Sequence, residues 1–318
     1  MIDTTGPKHF TRKRVLGKLS GMIMNNTTNQ TGLPEDFRIA LLVLYIFIFL
    51  AGTLNVVLMS CMLQSQRCLS FTKVSVINLI AVHSFFLLTV PFRIYYYASD
   101  EDWILGIHFC KIVSLMIHAH MYLAFIFYVF LLIVRYVEHS DQQHKLEFHR
   151  ILHATIASAT VWLVIFGSMF PATIAKYGMT QNDSTHCFHF GQALMQPTVK
   201  RLNYVICILV ILVWSVLAFF QVYFLLNVSK TFGKATCQRQ EFWAQLKNVV
   251  FLLVMFFCFV PYQGFRVYYV REYGKTEEIN HINEVLLAVT AFSCIDMIAF
   301  AGRDVCKLIN SRGWFYCL

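Results

Sequence analysis

Seven stretches of this chain, residues 39–63, 74–98, 112–134, 152–175, 204–228, 249–270 and 285–302, are apolar and nearly free of charge. About 20 predominantly apolar residues in a helix cross the roughly 30 Å of hydrocarbon in a bilayer. Each stretch is too long for a membrane β-strand, and only helices or closed barrels satisfy their own backbone in lipid. The pattern therefore predicts an all-α membrane protein, a seven-transmembrane helix bundle. The last stretch is the weakest, because Ser293, Cys294 and Asp296 dilute it. Composition agrees: 58% of the 318 residues are hydrophobic and 14% charged, against roughly 45–50% and 25% in soluble domains.

Charge does not orient the bundle. Lys and Arg favour cytoplasmic loops, but with the N-terminus outside they divide 12 inside to 14 outside, five of the latter in the run Lys8–Lys18. Sequons and cysteines orient it better. Asn25, Asn26 and Asn29 each open an Asn-x-Thr, and Asn182 opens Asn-Asp-Ser, so all four would be glycosylated on the lumenal side. With the N-terminus outside, Cys110 and Cys187 are the two of ten cysteines in loops facing the oxidising compartment, which marks them as a disulfide. No apolar stretch of signal-peptide form follows the basic run. The first apolar span is expected to direct insertion, and Met22 or Met24 offers a later start.

Residues 1–36 read as a polar extracellular tail closed by Gly32-Leu33-Pro34, a turn signal, and residues 37–302 as the membrane domain. Gln240-Glu241-Phe242-Trp243 is expected to begin the sixth helix early. In residues 303–318, Arg303, Lys307 and Arg312 alternate with Val305, Leu308, Ile309, Trp314 and Phe315, an amphipathic pattern suited to a short helix on the inner leaflet.

Several landmarks recur at one fixed order. Gly52 and Asn55 lie in the first span, Asn78-Leu79-Ile80-Ala81-Val82-His83 and Pro91 in the second, and Trp103, Gly106 and Cys110 lead into the third. Arg135-Tyr136 closes the third, Trp162 and Pro171 mark the fourth, and Cys258-Phe259-Val260-Pro261-Tyr262 marks the sixth. In this order the chain resembles the rhodopsin-like (class A) G protein-coupled receptors over about residues 37–316. Val90-Pro91-Phe92-Arg93, Pro261-Tyr262-Gln263 and Arg266 resemble the branch containing purinergic receptors. His83–Arg93, His120–Leu123 and Glu241–Asn248 resemble one orphan member of the family. The resemblance implies a plasma-membrane receptor with its N-terminus outside, a heterotrimeric G protein partner and an unidentified extracellular ligand. It implies no catalytic residue, no cofactor and no nucleic-acid partner.

The departures are specific. Val134 stands where the family has an acid before the arginine, His83 where an aspartate binds sodium, and Asp296-Met297-Ile298-Ala299-Phe300 for Asn-Pro-x-x-Tyr. Phe259 replaces the tryptophan before the sixth-span proline, and no proline interrupts the fifth span. The resemblance makes Arg135, Tyr136, Glu241, Phe259, Pro261, Asp296 and Phe300 the coupling and switch residues. Glu241 is the expected resting partner of Arg135, which otherwise only snorkels to headgroups. Pro261 removes a backbone hydrogen bond and so offers a hinge. Asp296 is expected either to accept a hydrogen bond from His83 or to leave it a neutral core residue.

At the outer ends, Arg93, Tyr96, His118, Met121, Tyr122, Gln263, Arg266 and Glu284 form the candidate ligand set. His118 and Tyr122 are four apart and share a helix face. Arginines there would clamp a carboxylate or phosphate, pointing to an anionic small molecule or lipid, while interfacial anchoring accounts equally for such residues. The competing classes are a membrane redox enzyme using His83, His118, His120 and His153, and a transporter. Only His149 and His153 among the histidines have ligand spacing, no P-loop, Gly-x-Ser-x-Gly or His-Glu-x-x-His occurs, and paired broken halves are lacking. No metal set is assigned.

Overall fold

The computed structural model describes residues 34–65, 71–140, 147–176, 187–188, 196–232, 240–273 and 278–296, with backbone alone at 65, 71, 137–140, 147–150, 170–176, 228–229, 231–232, 240–244 and 278. The chain divides into Met1–Glu35 and Asp36–Leu318. Of the first unit only Pro34 and Glu35 are described, so Asn25, Asn26 and Asn29 lie outside the described residues, as do Asn182, Phe300 and residues 303–318.

All regular structure among the described residues is helical. The first span is Glu35–Ser65, and the second is Phe71–Leu87 continued by Val90–Ala98. The third is Ile107–Ser140, the fourth Glu147–Lys176, the fifth Pro197–Phe232 and the sixth Gln240–Glu272. The seventh is Glu278–Thr290, tightening into a 3-10 turn over Ala291–Ile295. Six of these spans are long and apolar enough to cross a membrane, and the seventh is a shorter apolar helix, Ile279–Ile295.

The third span is the axis of the bundle: 67% of its apolar window is buried, against 6% for the fourth span and 17% for the fifth. The outer faces of those two carry Leu163, Val164, Leu209, Leu212 and Phe219, all exposed. An apolar exterior over a polar-lined interior is what a lipid solvent selects.

Two sequence expectations are corrected. The seventh helix begins at Glu278, not near 285. Its first turns carry Asn280, His281, Asn283 and Glu284, which hide it from a hydropathy reading, yet Asn283 and Ile279 are buried among neighbouring spans. The second span is not continuous either. Pro91 has no N–H, and its ring excludes the carbonyl four residues back. The helix accordingly stops at Leu87. The Thr89 N–H and hydroxyl both donate to the Phe86 carbonyl, at 2.8 and 2.7 Å, before the helix resumes at Val90. Pro261, by contrast, sits inside an unbroken helix. The early start of the sixth helix at Gln240 agrees with expectation.

Gly52 sets the spacing of the first span. A Cβ there would meet Leu87 Cδ2 at 3.0 Å and Cys294 Cβ at 3.2 Å, so the first span lies close against the second and seventh because that position has no side chain. Gly52→Val is expected to overpack this contact and cost about 1–3 kcal/mol, read as a lowered melting temperature of the detergent-purified protein. An unchanged melting temperature would show that the contact yields freely.

Candidate functional site

Polar side chains in the bundle gather in three layers. The first lies at the disulfide end. Cys110 and Cys187 are bonded, with Cα atoms 5.8 Å apart, and the Tyr96 hydroxyl donates to the Cys187 carbonyl at 3.0 Å. Tyr96 thus holds the segment beside the disulfide. Phe188 has φ 74°, a left-handed backbone that costs an aromatic residue about 1–3 kcal/mol unless packing enforces it. Here Tyr96 meets its ring edge-on at 4.9 Å, Trp103 packs at 5.8 Å, and the Arg93 guanidinium lies 4.2 Å from its centroid. Trp103 Nε1 in turn donates to the carbonyl of Gly106, whose φ of 81° suits glycine.

Arg93 is fully buried. It donates to the Tyr45 hydroxyl at 3.2 Å and the Val113 carbonyl at 3.3 Å, and its Nε is without a hydrogen-bond partner. Among the described residues it forms no ion pair. Arg266, also buried, donates to Asn203 Oδ1 at 3.3 Å and Asn283 Oδ1 at 3.0 Å, with its guanidinium 4.9 Å from the Tyr269 ring. His118 donates through Nδ1 to the Ser114 carbonyl at 3.1 Å and lies close enough to both arginines to feel their charge. Glu284 accepts from the Tyr97 hydroxyl at 3.0 Å. Gln263 Nε2 points at Met121 Sδ, 3.6 Å away, and both side chains are buried. Tyr122 is half-buried.

The middle layer joins the first, second, third and seventh spans. Asn55 Nδ2 donates to the Cys294 carbonyl at 2.6 Å and to Asp296 Oδ1 at 3.4 Å. The Tyr128 hydroxyl donates to the Asp296 carboxylate and contacts the Ser293 carbonyl at 3.1 Å. His83 does not reach Asp296. Its Nδ1 faces His120 Nε2 at 3.0 Å and Cys294 Sγ at 3.5 Å. The acid is bound instead by Tyr128, about two helix turns along the third span from His120, while the histidine turns to the third and seventh spans.

The third layer closes the opposite end. Arg135 Nη1 donates to Asn248 Oδ1 at 3.1 Å and its guanidinium lies 5.1 Å from the Phe251 ring. Asn248 Nδ2 continues to Gln245 Oε1 at 3.4 Å, and Gln221 Nε2 donates to that same oxygen at 2.8 Å. One chain of hydrogen bonds therefore links the third, sixth and fifth spans. The Glu241 side chain lies outside the described residues. Tyr136 is exposed and meets Phe224 edge-on at 4.8 Å, whereas Phe259 is fully buried against Phe125 and Tyr128.

The sequence profile described as 7 transmembrane receptor (rhodopsin family) matches residues 54–298. The chain belongs to that family. Human probable G-protein coupled receptor 141 is 39% identical over 281 residues, covering 87% of this chain and 92% of the relative. Probable G-protein coupled receptor 34 of Pan troglodytes is 25% identical over 313 residues, 90% of this chain and 80% of the relative. The 2-oxoglutarate receptor 1 of Mus musculus is 27% identical over 233 residues, 71% and 67% respectively. The protein is a multi-pass G protein-coupled receptor, and the membrane-enzyme and transporter readings are not favoured.

Within this receptor, sequence reasoning missed Tyr128, Asn203, Asn248, Asn283 and Cys294. Each is a small polar or aromatic residue whose role depends on a partner in another span. For Tyr128→Phe we expect a loss of about 1–3 kcal/mol, because the Asp296 carboxylate is left short of a donor in a buried layer. A double-mutant cycle on thermal stability should show coupling between Tyr128 and Asp296, and additive losses for His83 with Asp296. The reverse pattern would contradict the observed partners.

Proposed function

We propose that this receptor lies in the plasma membrane with its N-terminus and the Cys110–Cys187 disulfide outside, and activates heterotrimeric G proteins when the sixth span moves away from the third. The observation that carries this reading is the Arg135–Asn248 hydrogen bond. A guanidinium at the end of the third span held by the sixth is a closed latch, and opening it exposes a cation to a partner. The latch is built from neutral amides because Val134, not an acid, precedes Arg135. Glu241, by its sequence position about two turns before Asn248, is the acid this reading assigns to Arg135. Pro261 supplies the flexible point, since the Phe257 carbonyl loses its intrahelical donor there. Phe259, packed against the third span, would feel any displacement above it.

The disulfide end suits an anionic ligand. Arg93 is a buried cation without an acid partner, and a buried charge is costly unless paired. A carboxylate or phosphate would supply the missing charge to Arg93, with Arg266, His118, Tyr122 and Gln263 as companions. The relative named for 2-oxoglutarate, a dicarboxylate, gives this chemistry a precedent within the family.

The test is ligand-free G protein activation across a sensor panel at matched surface expression. Signal above an Arg135→Ala control is expected, and Asn248→Ala should raise basal activation by releasing the latch. Unchanged basal activity in Asn248→Ala would reject the latch. Among a panel of carboxylates and phosphomonoesters beginning with 2-oxoglutarate, any agonist should weaken about tenfold or more in Arg93→Gln, the worth of one charge-assisted hydrogen bond. Equal potency would remove Arg93 from the ligand site.

A further inference from the structure

His83 on the second span, His120 on the third and Cys294 on the seventh are all essentially without solvent exposure. One donor atom from each points at the same spot. His83 Nδ1 and His120 Nε2 are 3.0 Å apart, and Cys294 Sγ lies 3.5 Å from the first and 3.2 Å from the second. Imidazole and thiolate bonds to zinc of about 2.0–2.1 and 2.3 Å set ligand atoms roughly 3.3–3.6 Å apart in a tetrahedron. The observed triangle falls within a few tenths of an ångström of that face. We propose that His83, His120 and Cys294 form a zinc site in the middle of the bundle, with the fourth position open to water.

The donor chemistry selects the ion. Two imidazoles and a sulfur suit zinc and other late first-row ions and are poor ligands for alkali, magnesium or calcium ions, which take oxygen. Charge balance favours a divalent ion. On binding, the Cys294 Sγ–H bond breaks, the sulfur bonds the metal and the proton leaves to solvent. Zinc at plus two, the Cys294 thiolate and the Asp296 carboxylate two residues on then sum to zero, so binding takes the layer from a net charge of minus one to neutral inside the membrane. Asp296 contributes charge rather than ligation, since its oxygens already accept from Tyr128 and Asn55. The surroundings are stiff: Phe86 stacks on the His120 ring at 4.4 Å, and Asn55 Nδ2 fixes the Cys294 carbonyl. A preformed cluster needs little reorganisation to bind. The consequence is a crosslink among the second, third and seventh spans, near the layer that the receptor must rearrange to switch.

The site is tested on the full-length receptor, purified in detergent without a polyhistidine tag. Addition of cobalt(II) should produce thiolate-to-cobalt charge-transfer absorption, and added zinc should displace it at one equivalent. Zinc alone should raise the melting temperature with the logarithm of its free concentration, and should slow labelling of Cys294 by a membrane-permeant thiol reagent, mapped by mass spectrometry. Cys294→Ala should lose the charge-transfer band and weaken zinc binding at least tenfold, while Cys61→Ala keeps both. No charge-transfer band in the wild-type protein, or equal Cys294 labelling with and without zinc, would overturn the site without any reliance on a variant's folding. A band that survives in Cys294→Ala would also overturn it.

Discussion

In hydrocarbon a polar side chain has no water to fall back on, so each one inside this bundle must be satisfied by another span. That constraint accounts for the three polar layers. Arg93, Arg266, Asn55, His83, His120, Asp296, Asn248 and Gln245 are all buried, and with the exception of a few atoms each has a partner on another helix. The apolar surface tells which segments enter the membrane but cannot tell one helix order from another, because lipid tails are as apolar as Leu. Register and neighbour choice come from the polar contacts: Trp162 Nε1 to Asn78 Oδ1 between the fourth and second spans, Asn55 to the seventh, Arg135 to the sixth.

The layers also divide the work. The disulfide end is rich in cations and rings, the centre in neutral nitrogen, sulfur and one acid, and the opposite end in amides around Arg135. The third span carries side chains in all three: His118, His120 with Tyr128, and Arg135. The replacement of an acid by Val134 and of a second-span aspartate by His83 leaves the family's frame standing while changing the chemistry at two of these layers. The central acid has moved to Asp296, and the histidine freed from an acid has acquired a sulfur and a second histidine.

Some helix boundaries were legible in the sequence, as at the start of the sixth span, whereas the break before Pro91 was not. They were misread at the seventh, whose first turns are polar because they face Arg266 and the Tyr97–Glu284 contact rather than lipid. Cys110 and Cys187 could be paired from their expected side of the membrane. The candidate ligand residues were found as a class of outer cations, but Arg93 differs from an interfacial anchor in being fully buried, which hydropathy cannot register.

The sequence by itself determined that the chain enters a membrane as helices, which landmarks recur, and which residues are chemically unusual, because length, apolarity and residue type are local properties. Partnership was decided by the tertiary structure. Whether His83 meets Asp296 or Cys294, and whether Arg135 reaches Asn248, depends on helix rotation and on the closeness that Gly52 permits. Those are set by packing between segments as many as 241 residues apart, as with Asn55 and Asp296, and no spacing along the chain encodes them.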